Sequence, residues 1–314
     1  MDGTATYRDD HPAWRLVQPL LPEPMRTLGH EPDESRWVWR GASVHLDRYE
    51  VDDSPLTVVV LHGAGGHGRL LSSAGRMLAD AGCSAVMPDL PGYGLTDAPA
   101  AMRRYDVWVA LVGDLVRAEH ERTGRPVALF GMSLGGMLAW DVAASLAPGS
   151  VAAVVATNLL DPSDPAVRAG VARFAALGSR IPALLSATPR RLDGLRLSLP
   201  LVANAKGIAN DPRVARALLA DHRGTGNRIA VGFLRSWFAY RPAITPERWR
   251  HGPVLLAHPG DDRWTPTALS LPFFRRIAGP TSLVELEHCG HLPMESPGLE
   301  RLRDALQRFL GPLL

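Results

Sequence analysis

Val127-Ala128-Leu129-Phe130-Gly131-Met132-Ser133-Leu134-Gly135-Gly136-Met137-Leu138-Ala139 decides how this chain is read. The apolar run Val127–Phe130 has the composition of a strand buried on both faces. Gly131-Met132-Ser133-Leu134-Gly135 then fits the pattern G-x-S-x-G, and an Ala/Leu-rich helical segment follows. So tight a turn forces strained dihedrals on its central residue, and the flanking glycines let strand and helix backbones approach. The serine hydroxyl would stand at the C-terminal edge of a sheet, facing the free N–H groups and positive end of a helix. A glycine-rich β–α turn with an incidental serine is the competing reading, and the rest of the chain must separate the two.

With 314 residues, 46% hydrophobic and 21% charged, the chain suffices for one large α/β domain or two modest ones. A net charge of +2, from 34 basic and 32 acidic residues, gives no reason to expect nucleic acid or an anionic membrane as partner. Lys206 is the only lysine. Two isolated cysteines, Cys83 and Cys289, make neither a disulfide framework nor a metal cluster, and the histidines show no H-E-x-x-H or comparable spacing, so no metal is expected. Residues 1–15 carry Asp9, Asp10 and His11 and lack the apolar core of a signal peptide, and no apolar run reaches membrane-spanning length. The expectation is a soluble cytoplasmic protein.

Residues 1–35 read as an irregular arm with one short helix. Trp37–Trp39 and Val44–Tyr49, joined through Gly41-Ala42, read as an antiparallel edge hairpin. Buried strands are expected at Leu56–Leu61, Ser84–Met87, Val127–Phe130 and Val151–Thr157. Helices are expected between them at Leu70–Ala81, Tyr105–Thr123 and after the serine to about Ala147. This alternation argues for βαβ units, a parallel sheet and helices on both faces. From about Leu160 to Arg250 no convincing buried strand is found, only helical pieces punctuated by prolines, which reads as a helical insertion. Alternation resumes with a strand at Pro253–His258, a helix from about Thr267 to Ala278, a strand at Ser282–Leu286 and a last helix at Pro297–Leu310.

A serine hydroxyl is a weak nucleophile and needs a base, and the base needs an acid that fixes its tautomer. In an open α/β sheet such groups belong beyond the C-terminal strand ends. Two loops qualify. Pro259-Gly260-Asp261-Asp262-Arg263-Trp264-Thr265-Pro266 follows one strand, and Glu287-His288-Cys289-Gly290-His291-Leu292-Pro293 follows the next. The chain order is Ser, Asp, His, as in nucleophile-elbow enzymes.

Over roughly residues 36–312 the sequence resembles the α/β-hydrolase family. The resemblance rests on His62-Gly63, Asp89-Leu90-Pro91-Gly92-Tyr93-Gly94, the turn around Ser133, the Asp loop, and Gly290-His291 with Glu295 and Pro297 beyond. It implies a mostly parallel eight-stranded sheet flanked by helices. The core would be residues 36–159 and 251–314, with residues 160–250 a helical cap or lid. It assigns Ser133 as nucleophile, Asp262 as acid and His291 as base. Asp262 is preferred to Asp261 because family members commonly carry the acid four residues before a proline, here Pro266. Asp161 also competes for the role of acid and His288 for that of base, and Gly290 favours His291. The oxyanion donors map to the backbone N–H groups of Leu134 and Ala64, with Gly65 possible in place of Ala64. A phosphate-cradling reading of Gly65-Gly66-His67-Gly68 lacks a nearby lysine and Walker spacing.

His62 is expected to bond backbone near that loop, Asp89 to brace its own loop, and Cys83 and Cys289 to pack. Met132, Trp264, Phe233 and Trp237 are candidates for the substrate wall. Packing is the competing role for Trp264, and docking of the cap on the core for Phe233 and Trp237, which share a helical face. The resemblance implies a serine hydrolase acting on a small-molecule carboxylic ester without a cofactor. Thioester, lactone and carbon–carbon substrates, a lyase or cyclase, and a small-molecule receptor stay open on the same fold. Serine at the elbow argues against haloalkane dehalogenases and epoxide hydrolases, which use aspartate there in this family.

Overall fold

Leu56 to Leu61 is a β-branched run, and in the computed structural model Thr57–Leu61 forms strand β3 near the middle of a sheet, with every residue buried. The structure describes residues 5–8, 12–174, 178, 180–203 and 207–314. Asp9, Asp10, His11 and Lys206 lie outside them. Strands β1 (Asp33–Trp39), β2 (Ala42–Tyr49), β3, β4 (Ser84–Pro88), β5 (Val127–Gly131) and β6 (Val154–Ala156) are the first of the main sheet. After a separate pair, β7 (Arg196–Ser198) and β8 (Arg228–Ala230), it is completed by β9 (Val254–Pro259) and β10 (Thr281–Leu286). Its order is β1-β2-β4-β3-β5-β6-β9-β10. Only the β1–β2 and β2–β4 pairings of this sheet are antiparallel. The mostly parallel eight-stranded sheet expected from the sequence is therefore present.

Alternate residues of each strand point to opposite faces, which splits the core in two. Val59 and Leu61 face a cluster with the helices Tyr105–Thr123 and Leu134–Ser145. Val58 and Val60 face another, with the helices Ser72–Asp80 and Gly298–Leu310 and the arm residues Val17, Leu21 and Met25. Among the described residues no helix is long and apolar enough to cross a membrane.

Four expectations need correction. The arm gives way to strand earlier than residue 35, since β1 begins at Asp33. It is also well packed: Tyr7, Trp14 and Met25 are buried, and Trp14 donates its indole N–H to Ser72 Oγ at 2.9 Å. Segment 160–250 does contain strands, the antiparallel pair β7–β8, in which Leu197 faces Ile229. At three residues each, both beginning with an arginine, they are too short to leave a period-two signal. The helix expected over 267–278 is a 3₁₀ turn, Thr267–Leu269, and a four-residue helix, Leu271–Phe274, because Pro272 removes a donor that a continuous helix needs. The strand expected over 151–157 shortens to β6.

The hairpin β1–β2 and the arm meet in a buried ionic cluster. Arg69 grips Asp47 with two hydrogen bonds of 2.9 and 2.7 Å and reaches Glu34 at 3.1 Å. Both Arg69 and Asp47 are sealed from solvent. Removing one member of such a pair leaves an uncompensated buried charge, which costs about 3–5 kcal/mol. Arg69→Met should lower the free energy of unfolding by about that amount in a urea titration, and the double change Arg69→Met, Asp47→Leu should recover part of the loss. Wild-type stability in the single variant would contradict this account of the cluster.

Candidate active site

The turn after β5 owes its shape to two close backbone approaches. A Cβ at Gly131 would lie 1.9 Å from the carbonyl oxygen of Gly135, and one at Gly135 would lie 2.3 Å from that of Leu61. Neither position accepts a side chain. Between them Ser133 has φ +57° and ψ −130°, a region costly for a residue with a Cβ. Its N–H donates to Thr157 Oγ1 at 2.9 Å, and the N–H of Met132 donates to the Leu61 carbonyl at 3.0 Å. The ends of β3 and β6 thus hold the strained turn from both sides.

The loops after β9 and β10 bring two further side chains to it. His291 Nε2 lies 2.7 Å from Ser133 Oγ, and His291 Nδ1 lies 2.9 Å from Asp262 Oδ2. With the carboxylate ionised, Nδ1–H donates to Asp262 and Nε2 accepts from the serine hydroxyl. Asp262 and His291 are both buried. Burial alone would raise the Asp262 pKa, but the hydrogen bond and charge of His291 and the N–H groups of Thr265 (2.8 Å) and Trp264 (2.9 Å) hold it well below the usual carboxylate range. Thr265 Oγ1 donates to Oδ2 at 2.9 Å and Asn158 Nδ2 at 3.2 Å.

The rival residues lie elsewhere. Asp261 is exposed and has His288 Nδ1 at 3.7 Å, with His288 also exposed. Asp161 accepts the Ser163 N–H at 2.8 Å and closes a turn. Cys289 is buried and gives its thiol to the Glu295 carbonyl, and burial pushes that thiol up to about 12.

Thr157, Asn158 and Thr265 were not singled out from the sequence. Asn158 Nδ2 also approaches Thr265 Oγ1 at 3.2 Å and the buried His258 Nε2 at 3.1 Å. Thr157 Oγ1 donates to Asn158 Oδ1 at 2.8 Å. A polar chain therefore runs from the serine backbone to the acid. The available signal was the polar pair Thr157-Asn158 directly behind a buried strand, where unpaired polar groups are costly.

Loop 62–66 lies against the elbow, where a Cβ on Gly63 would stand 3.1 Å from the Leu134 nitrogen. Among the described residues, neither the Ala64 nor the Leu134 N–H has a protein acceptor. His62 donates Nδ1–H to the Gly63 carbonyl at 2.7 Å and accepts the Leu90 N–H at Nε2 at 3.0 Å, and burial lowers its pKa to about 4. Asp89 accepts from the N–H groups of Gly68 (2.6 Å) and Leu95 (2.7 Å) and from the Tyr7 hydroxyl (2.7 Å). Among the described residues one trio of possible metal ligands converges, Glu34, His45 and Asp47, and Arg69 already engages both of its acids.

Two cavities open on Ser133. The larger, about 310 Å³, runs beneath segment 160–250 and has Phe233 and Trp237 in its wall. Phe233 also packs its ring against that of Trp108, centroids 4.5 Å apart and planes tilted by 57°, so it both docks this segment and faces the cavity. The smaller, about 70 Å³, is bordered by Met132. Trp264 borders both, its ring 4.7 Å from that of His291.

Residues 58–304 match the model of the alpha/beta hydrolase family, so the chain belongs to that family. Among solved structures it resembles a soluble variant of monoglyceride lipase from Saccharomyces cerevisiae (TM-score 0.72, 14% identity, 93% of this chain and 99% of that one). It also resembles monoacylglycerol lipase from Paleococcus ferrophilus (TM-score 0.68, 22% identity, 86% and 99%). Over 63 residues, 20% of this chain, it is 43% identical to epoxide hydrolase 3 of Siraitia grosvenorii, and the match spans 20% of that protein's length.

The buried neutral His62 makes stability pH-dependent. Its folded pKa lies below the ordinary histidine value, so the unfolded chain binds the proton more readily, and stability present above about pH 6.5 is lost as pH falls toward 4. Replacing His62 by Gln should narrow the difference in unfolding free energy between pH 7 and pH 5 by about 2 kcal/mol. An unchanged difference in urea titrations would show that His62 is not the group responsible.

Proposed function

We propose that this protein is a serine hydrolase of carboxylic esters, with Ser133 as nucleophile, His291 as general base and Asp262 as the acid that orients it. The observation that carries the reading is the hydrogen-bonded line Asp262–His291–Ser133 at 2.9 and 2.7 Å, ending on an apolar cavity. His291 Nε2 takes the hydroxyl proton as Ser133 Oγ attacks the ester carbonyl. Charge builds on the carbonyl oxygen, where the N–H groups of Ala64 and Leu134 receive it; one such donor is worth on the order of 100- to 1000-fold in rate. The imidazolium then protonates the departing alkoxide. Water enters, gives its proton to the same nitrogen and releases the acid from the acyl-enzyme. Residues 160–250 act in this reading as a cap whose Phe233 and Trp237 wall the cavity, with Trp264 and Met132 beside the nucleophile. No step calls for a cofactor. The monoacylglycerol and monoglyceride lipases that share the fold support ester chemistry, and serine at position 133 favours it over epoxide opening.

A panel of p-nitrophenyl esters, thioesters and lactones tests the class, with Ser133→Ala as the blank. Ester turnover and fluorophosphonate labelling should both vanish in that variant while its circular dichroism stays that of the wild type. Undiminished turnover would move the nucleophile elsewhere.

The acid is tested separately. Asp262→Asn should reduce kcat on the order of 10⁴-fold, because the neutral amide favours the wrong imidazole tautomer. Asp261→Asn, with an exposed carboxylate directed at His288, should change kcat less than about three-fold, in line with the small effects of surface changes. The reverse ranking would reassign the acid.

A further inference from the structure

We propose that the smaller cavity is a second substrate subsite, that the N-terminal arm helps to build it, and that it admits only a short apolar group. The inference rests on Ser133 being the nucleophile. The two cavities share four bordering residues, Ala64, Ser133, Trp264 and His291. A molecule occupying both would carry its reacting bond past the serine hydroxyl. At about 310 and 70 Å³ the two are very unequal, so the substrate is an ester with one bulky and one slim half.

The slim side is walled by Trp14, Val17, Gln18 and Leu21 of the arm, which precede the stretch matched by the family model, and by Leu70 and Ala74 of the core. The arm is fixed in place. Trp14 bonds Ser72, Gln18 Oε1 accepts the Thr27 N–H at 2.6 Å, and Thr27 Oγ1 meets Ser72 Oγ at 2.9 Å. Among the described residues, most polar side chains on this wall already have protein partners, the amide nitrogen of Gln18 excepted. His62 uses both ring nitrogens, Ser73 donates to the Met25 carbonyl and Thr225 donates to the Gly65 carbonyl. Out of reach of that single amide, a hydroxylated or charged group would lose its water without replacement, a cost of roughly 1–3 kcal/mol per unpaired polar group. An alkyl group loses nothing.

The test uses the full-length protein and simple alkyl esters in two series, one lengthening the alcohol at fixed acid and one lengthening the acid at fixed alcohol. Leu70→Trp narrows the subsite and Val17→Ala widens it. In Leu70→Trp, kcat/KM should fall about ten-fold or more for each methylene beyond the new limit, in one series only. In Val17→Ala the limit in that same series should move to longer chains. In the wild type, adding a terminal hydroxyl to the slim half should lower kcat/KM. Profiles that stay superimposable in both variants would overturn the subsite, since the cavity would then be a packing void. A slim half that prefers the hydroxyl would overturn its apolar character. Wild-type protein that neither hydrolyses any ester nor reacts with a fluorophosphonate would instead defeat the reading of Ser133, and thermal melts of both variants separate misfolding from a changed subsite.

Discussion

The backbone contact between Gly131 and Gly135 is the constraint on which the site depends. It bends the chain so sharply between β5 and the following helix that Ser133 sits at φ +57°. Such a conformation costs on the order of 1–3 kcal/mol and persists only where the surroundings over-determine it. Here β3 supplies the Leu61 carbonyl to Met132, and Thr157 beyond β6 supplies its hydroxyl to Ser133. The return is geometric. The hydroxyl projects from the sheet edge toward His291, while the N–H of Leu134, first residue of the following helix, has no protein acceptor among the described residues.

The acid side is organised by saturation. Asp262 accepts from two backbone N–H groups, two side chains and the imidazole, so a carboxylate that burial would neutralise stays ionised. Asn158 links this to the elbow, because its carboxamide touches the acid while its oxygen holds the threonine that holds Ser133. A change at one end of the chain is therefore felt at the other, and deletions of single members should not add.

How much of this was legible in the sequence follows from range. The buried strands and the helix Tyr105–Thr123 announce themselves by composition and period, and the structure reproduces that helix end to end. Ser133, Asp262 and His291 lie in loops whose residue types and order are distinctive, so they could be named before their distances were known. The links between them could not. Thr157, Asn158 and Thr265 are ordinary polar residues whose meaning comes from distant partners: Asn158 meets Asp262 and Thr265 at separations of 104 and 107 positions, and Thr157 meets Ser133 at 24. Strands β7 and β8 are too short for periodicity. The arm looked irregular because its order comes from tertiary contacts such as Trp14 with Ser72, not from local propensity.

Charge explains why the arm belongs to the folded unit. Tyr7 gives its hydroxyl to Asp89 and its N–H to Glu34 at 2.8 Å, and its ring stacks on His67 at 5.1 Å. His45 lies between Glu34 (2.9 Å) and Asp89 (3.3 Å); burial opposes its charge, but these carboxylates raise its pKa to about 9. Asp89 in turn fixes Gly68 and Leu95, Gly68 lying just beyond loop 62–66. Without the arm, the carboxylates of Asp89 and Glu34 would lose donors and face water from one side. Their pairing with Arg69 and His45 would weaken, and so would the brace behind loop 62–66. The arm thus bears on the candidate site twice, as a wall of the smaller cavity and as a seal over the charges behind loop 62–66.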